Sequence, residues 1–162
     1  MYHPYFRGKQ YELITVRETA PMLAAAKFVP IIEPVKESLG GLQRALHAVC
    51  DAEGEAIVIV NPYHGDHAAD ADSISDLLQG AYLDRDEVAA GILLKEDMSL
   101  AQALLVCEAH DDHDRVLVHA GFADARGLID ASGNGCAKCA TSSFPTAASS
   151  TAGTSPGAGA SC

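Results

Sequence analysis

Residues 57–62, Ile-Val-Ile-Val-Asn-Pro, decide the predicted fold. The four apolar residues run without a polar break, which is typical of a strand covered on both faces. Similar short apolar runs occur at 11–16, 28–32, 89–94 and 116–118. Segments with helical spacing separate the runs, most clearly at Ile74, Leu77, Leu78 and Ala81. This alternation predicts an α/β fold with a parallel sheet.

Four helices are predicted between the five strands. The first follows Thr19 with Pro21 in its opening turn, and the second follows Ser38. The third is capped near Asp72 or Ser73, and the fourth follows Asp97 or Ser99. Five parallel strands joined by four helices correspond to part of a TIM barrel. An open, doubly wound sheet is the alternative, and strand order distinguishes the two.

The composition predicts one folded domain followed by a tail. The chain has 162 residues, 48% of them apolar, which suffices for one buried core. After Asp130 it is dominated by Ala, Ser, Thr, Gly, Pro and Cys. Such a segment cannot offset the roughly 1–2 kcal/mol per residue lost when a backbone is ordered. We predict a partial-barrel domain at 1–130 and a disordered tail at 131–162.

The charge and the apolar runs restrict the partners. A formal net charge of −11 repels phosphate backbones, so a nucleic-acid partner is not expected. The N-terminal residues lack the apolar stretch of a secretory signal, and no run approaches the roughly 18 apolar residues of a membrane span. We therefore expect a cytoplasmic protein without membrane contact.

Polar side chains directly follow all five predicted strands. They are Arg17, Glu33, Asn61, Lys95 and His119. Because the carboxyl ends of parallel strands form the sites of α/β proteins, these residues predict a small-molecule or anion pocket. In an enzyme, Glu33 or His119 would move protons, Lys95 and Arg17 would hold negative charge, and Asn61 would orient the substrate.

Glu33 lies in an otherwise apolar run, and a buried carboxylate costs several kcal/mol unless it has partners. It could be a scaffold residue paired with Arg17. Alternatively, it could have a raised pKa and serve as a base or metal ligand near Lys95 and His119. The repeated pattern of a polar residue and then proline, at 33–34 and 61–62, predicts that the two loops lie side by side.

Two histidine pairs have spacing compatible with a divalent metal. His64 and His67 lie in the loop after the third strand, on the side of the pocket, and are the candidate metal ligands. His110 and His113 precede the fifth strand, which places them at the opposite end, where they are expected to serve stability. No phosphate-binding glycine loop or GxSxG turn is present, and the residues name no cofactor.

Three stretches carry a resemblance to a known family. They are the opening Met-Tyr-His-Pro-Tyr-Phe-Arg-Gly-Lys-Gln-Tyr-Glu-Leu-Ile-Thr-Val-Arg-Glu, then Val-Pro-Ile-Ile-Glu-Pro-Val-Lys at 29–36, and Ile-Val-Asn-Pro at 59–62. Over about residues 1–126 the chain resembles the beta-protein family of bacteria and phages. The resemblance implies a β/α barrel of about twice this length and an association with phage, mobile-element or defence loci. It implies no catalytic residue.

Five strands cannot close a barrel of eight, so a chain that departs from the family after residue 126 leaves exposed sheet edges. Such edges favour self-association or pairing with a protein partner. A noncatalytic protein-interaction component is therefore one alternative function. A TIM-barrel hydrolase or lyase assisted by a metal is another.

Overall fold

The computed structural model describes residues 2–132 and 138–140 of the chain. The strands in this part are β1 (Tyr5–Phe6), β2 (Ile31–Ile32), β3 (Ala56–Ile59), β4 (Val88–Lys95), β5 (Arg115–Ala120) and β6 (Lys138–Ala140). The helices are α1 (Gln10–Ala25), α2 (Gly40–Asp51), α3 (Asp72–Ala81), α4 (Leu100–Glu108) and α5 (Ala125–Ser132).

The strands form one curled, parallel sheet. Every neighbouring pair is parallel, and the order in the sheet follows the chain from β1 to β6. A doubly wound sheet would reverse its strand order at one point, so the sequential order favours the barrel-like alternative. The predicted α/β class is confirmed, and the sheet is half of a barrel.

Both faces of the sheet are buried, as the unbroken apolar run at 57–60 predicts. Val58 and Val60 belong to the larger core, which the sheet forms with the helices. Ile57 and Ile59 belong to a second cluster, which contains no helix residue and lines the concave face. Gly91 permits this packing, because a Cβ there would lie 2.7 Å from Ile57 and 2.9 Å from Ile59.

The predicted first strand at 11–16 is wrong, because these residues form the first half of α1. The buried residues of this helix are Leu13, Val16, Ala20 and Leu23. Their helical spacing packs α1 against α2, which outweighs the β-branched character of Ile14, Thr15 and Val16. Pro21 consequently lies inside the helix and not in its opening turn. The true first strand is the short Tyr5–Phe6, which pairs with Ile31–Ile32.

The other helices lie close to their predicted positions. Ser99 caps α4 in a capping box, in which its hydroxyl accepts from the Gln102 N–H and the Gln102 side chain accepts from the Ser99 N–H. Asp72 and Ser73 are the first residues of α3, and neither caps it, since the N-cap position belongs to Ala71. None of the helices in the described part of the chain has the length and apolar content that crossing a bilayer requires.

The C-terminal part of the chain contains a helix and a strand that were not predicted from the sequence. Helix α5 extends to Ser132, and Lys138–Ala140 pairs with β5. The rest of the predicted tail lies outside the described residues. Its disorder therefore stays a prediction.

Candidate functional site

Glu33 is buried at the carboxyl end of β2, with 1% of its surface exposed. Its carboxylate accepts hydrogen bonds from the Tyr5 hydroxyl at 3.0 Å and from the backbone N–H groups of Tyr63 and His64 at 2.8 and 3.0 Å. The imidazole of His64 lies 3.4 Å from the same carboxylate. These partners offset the cost of burying the charge.

Tyr5 supplies the only side-chain hydroxyl that bonds to Glu33 within the described residues. Burial raises the pKa of this hydroxyl above its usual range, and the neighbouring Glu33 carboxylate raises it further. Tyr5 therefore keeps its proton at neutral pH and acts as a hydrogen-bond donor to the carboxylate.

Lys95, like Glu33, binds the backbone of the loop after β3. Its ammonium donates to the Pro62 carbonyl at 3.0 Å and lies 5.7 Å from the centre of the Tyr63 ring. Desolvation lowers the pKa of Lys95, while the charges of Asp97 and Glu33 oppose that shift. A carboxylate thus holds the N–H groups of residues 63 and 64, and an ammonium holds the carbonyl of residue 62.

The loops after β2 and β3 lie against one another, as the repeated polar-proline pattern predicts. Asp66 donates its N–H to the Val35 carbonyl at 3.2 Å and accepts from the Glu37 N–H at 2.9 Å. The His67 ring bonds to the Lys36 carbonyl at 2.9 Å. Gly65, at φ +86, allows this approach, because a Cβ there would lie 2.5 Å from the Val35 Cα.

Asn61 extends the pairing of β3 with β4 beyond the end of the strand. Its side-chain N–H donates to the Leu93 carbonyl at 2.9 Å, and its side-chain oxygen accepts from the Leu93 N–H at 2.7 Å. The amide of Asn61 therefore stabilises the carboxyl end of the β3–β4 pair. Its role in orienting a substrate stays a prediction.

The predicted position of Arg17 at a strand end is wrong, because Arg17 lies in α1. Its guanidinium binds the adjacent Glu18 at 2.7 Å, and Glu33 is not among its partners. Arg7, directly after β1, occupies the strand-end position of the first unit and is exposed. Gly8 follows Arg7 and has a positive φ, a conformation that favours glycine. A glycine at position 8 is therefore the sequence signal that could have marked the end of this strand.

His119 does not join Glu33, which corrects the expectation that the two residues share a site. Val116 and Val118 of β5 face the concave cluster, whereas Leu117 faces the helices. Alternation along the strand places His119 on the helix side as well. Its Nδ1 accepts from the Gly121 N–H at 3.4 Å, so its Nε2 carries the proton and donates to the Phe122 carbonyl at 2.9 Å.

His64 and His67 have separate roles. His64 is half-exposed and pairs with Glu33. His67 is buried, and both of its ring nitrogens have protein partners, the Lys36 carbonyl and the Ser73 hydroxyl. No group of three or more metal-binding side chains occurs within residues 2–132. The two histidines therefore have no third protein ligand beside them in this part of the chain, and their role as metal ligands stays a prediction.

His110 and His113 are buried at the opposite end of the sheet. His110 donates from Nδ1 to the Val106 carbonyl at 3.0 Å and lies 3.0 Å from the Ser75 hydroxyl. The Nε2 atom of His113 is buried without a hydrogen-bond partner in the described part of the chain. Desolvation lowers the pKa of His113, and nearby His110 lowers it further while Asp112 opposes the shift.

His113 should make the protein sensitive to acid. Below about pH 6.5 an unfolded histidine takes up a proton that the folded His113 resists, so stability falls as the pH drops from there towards the lowered pKa. We expect His113→Leu to lose less stability than the wild type between about pH 7.5 and about pH 5.5. Urea unfolding at both pH values measures this difference. An equal loss in the two proteins would show that His113 does not contribute.

Clefts formed by the described residues open at three places around these loops and helices. The α1–α2 cleft, of about 670 Å³, is lined by Gly8, Gln10, Leu13, Ile14, Arg17, Lys36, Glu37, Ser38, Gly41, Arg44 and Asp66. The Lys95 cleft, of about 480 Å³, includes Asn61, His67, Asp70, Lys95 and Asp97. The α2–α3 cleft, of about 300 Å³, includes Gly40, Gln43, Arg44, His47, Tyr82 and Arg85. Of the predicted pocket residues, Arg17 thus lies in one cleft, Asn61 and Lys95 lie in another, and neither cleft includes Glu33 or His119.

The α1–α2 cleft collects positive charge on an acidic protein. Arg17, Lys36 and Arg44 line it, and Lys36 and Arg44 form no hydrogen bond or ion pair with any described residue through their side chains. Lys36 and Arg44 were missed by the sequence analysis. The signal for Arg44 is its place one turn after Gly40 in a helix whose first turn contains no acidic residue.

The Lys95 cleft has the opposite balance. Asp70 and Asp97 outnumber Lys95 among its charged lining residues, and the ammonium is already bound to the Pro62 carbonyl. This cleft is therefore less suited to an anion than the α1–α2 cleft.

Comparisons of the chain with protein-family models, with curated proteins and with solved structures found no match.

Proposed function

We propose that this protein binds a small anionic molecule, with a phosphate or carboxylate group, in the α1–α2 cleft. The loops after β1, β2 and β3 and the first turns of α1 and α2 form this cleft, so it lies at the carboxyl end of the sheet, where β/α proteins hold their ligands. The proposal concerns binding. Glu33 and His119 have their polar atoms engaged by protein groups, and neither lines this cleft.

The position of the Arg44 guanidinium carries the proposal. A Cβ built on Gly40 would lie 3.6 Å from Arg44 Nη1 and 3.9 Å from the Ser38 hydroxyl, so the guanidinium folds back over the start of α2. No side chain caps this helix start, whose N-cap residue is Leu39. A cation at the positive end of a helix dipole is unfavourable by about 0.3–1 kcal/mol. A bound anion would reverse that cost and would accept hydrogen bonds from the free N–H groups of the first turn.

Lys36 and Arg17 add to the positive charge at the same place. The contacts between loops 33–37 and 62–67 fix the backbone around Lys36. The cleft also contains the carboxylates of Glu37 and Asp66, but Asp66 is turned towards the Glu37 N–H. Its aliphatic floor, Leu13 and Ile14, suits the carbon part of a small molecule.

Thermal unfolding in the presence of anions tests the proposal. The chain contains no tryptophan, so circular dichroism is the suitable signal. At constant ionic strength, we expect a phosphate monoester or citrate to raise the midpoint relative to chloride. A ligand at about 100 times its Kd adds about 2.7 kcal/mol, which corresponds to several degrees. The stronger of the two probes identifies the phosphate or the carboxylate as the preferred group.

Matched variants show whether the cleft is responsible. Arg44→Gln and Lys36→Gln should abolish the shift, whereas Arg126→Gln removes the same charge from exposed α5 and should keep it. Without ligand, Arg44→Gln should be as stable as the wild type or slightly more stable, since it removes a cation from a helix N-terminus. An unchanged shift in Arg44→Gln, or no shift in the wild type with either probe, contradicts the proposal.

A further inference from the structure

Arg44 lines a second cleft as well, on an adjoining face of its helix. The α2–α3 cleft is bounded on one side by Gly40, Gln43, Arg44 and His47. These residues follow the i, i+3, i+4, i+7 pattern and therefore form one exposed stripe along α2. Tyr82 and Arg85, which follow α3, form the opposite side.

The lining of the α2–α3 cleft contains cations and neutral donors and no carboxylate among the described residues. Arg85 is exposed, and no described residue forms an ion pair with it. His47 is also exposed and has no hydrogen-bond partner in the described part of the chain. The charged lining residues of this cleft are therefore cations, whereas Asp84 and Asp86, which flank Arg85 in the chain, do not line it.

The two clefts share Arg44. Gly41 lines the first cleft and His47 the second. Both clefts also border the first turn of α2, through Gly41 in the first and Gly40 in the second, so they adjoin one another. A single linear molecule can therefore place one anionic group beside Lys36 and another beside Arg85, with Arg44 between them.

We propose that the ligand is an elongated molecule with two phosphate groups, one bound in each cleft. This inference rests on the proposed function, because it assigns the first phosphate to the α1–α2 cleft. The second phosphate is bound by Arg85 and His47, which line only the α2–α3 cleft. Linking the two groups makes the second binding event intramolecular, which raises the affinity.

The test compares phosphate monoesters with bisphosphates of increasing length. Isothermal titration of the full chain is carried out with butyl phosphate and with the bisphosphates of ethanediol, butanediol, hexanediol and octanediol. We expect the best bisphosphate to bind at least about tenfold more tightly than the monoester, since a hydrogen-bonded charge contributes more than 1.4 kcal/mol. The affinity should pass through an optimum with length, since a short linker cannot reach both clefts and a longer one lowers the effective concentration of the second phosphate.

Variants of the second cleft separate this inference from the proposed function. Arg85→Gln and His47→Gln should remove the advantage of the bisphosphate and leave the affinity for butyl phosphate unchanged, whereas Arg126→Gln should alter neither. If butyl phosphate binds and no bisphosphate binds more tightly, the two-cleft inference is wrong and the proposed function stands. The same conclusion follows if the advantage persists in Arg85→Gln. If neither type of phosphate binds, the two-cleft inference is wrong, and the proposed function then depends on the thermal shift with citrate.

Discussion

Replacing Glu33 by alanine should lower the free energy of unfolding by about 3–5 kcal/mol, the cost of breaking a buried, hydrogen-bonded charge network. The substitution leaves the N–H groups of Tyr63 and His64 without their acceptor, and it removes the partner of the Tyr5 hydroxyl. Each buried group left unpaired costs about 1–3 kcal/mol. Urea unfolding measures the loss, with the slope of the transition reporting whether the unfolded state has changed.

Two further variants define what Glu33 does. Glu33→Gln keeps one oxygen that can accept from the backbone of residues 63 and 64, so it should be less destabilising than Glu33→Ala. Glu18→Ala removes a carboxylate whose side chain is 64% exposed and should change stability by less than about 0.5 kcal/mol. If Glu33→Ala lost no more free energy of unfolding than Glu18→Ala, the Glu33 carboxylate would not be the group that holds the loop after β3.

Replacing Gly65 by alanine should be the second most damaging change, with a loss of about 2–3 kcal/mol or more. Gly65 has φ +86, which is unfavourable for alanine, and the added Cβ would meet the Val35 backbone at 2.5 Å from Cα and 2.7 Å from the carbonyl carbon. Backbone cannot rotate away as a side chain can. The loops after β2 and β3 would have to separate, which would also move Lys36 and Asp66 at the α1–α2 cleft.

Gly80→Ala is the matched control for this substitution. Gly80 lies in α3, is exposed, and a Cβ there would meet nothing within 4 Å. Alanine is the better helix former, so this variant should gain up to about 1 kcal/mol. Thermal melts of the two variants should therefore shift in opposite directions. A Gly65→Ala protein as stable as the wild type would show that the loop contact does not require glycine.

The strands and helices could be predicted where their burial pattern is local. The runs around β2 to β5 are near-continuous and apolar, and the stripe that includes Ile74 and Leu78 in α3 is helical. The prediction of a first strand at 11–16 failed because Ile14, Thr15 and Val16 favour a strand locally. The spacing of the buried residues Leu13, Ala20 and Leu23 favours a helix. The two-residue strand β1 is too short to produce any pattern.

The candidate site was less predictable, because it depends on which face each side chain occupies. All five strand-end residues were expected at one pocket, but Arg17 belongs to a helix and His119 lies on the helix side of β5. A shift of one residue along a strand changes the face. Lys36 and Arg44 follow no strand directly, so a search of strand ends could not find them.

The sequence by itself determined the parallel α/β class, because the periods of burial in strands and helices are set by neighbouring residues. It also identified Glu33 as a carboxylate that requires partners. Tertiary structure alone decided who those partners are, since the backbone of residues 63 and 64 is about thirty positions away. The same holds for the α1–α2 cleft, whose three cations come from two helices and one loop. Contacts between such distant segments depend on how the units curl together, which no local pattern encodes.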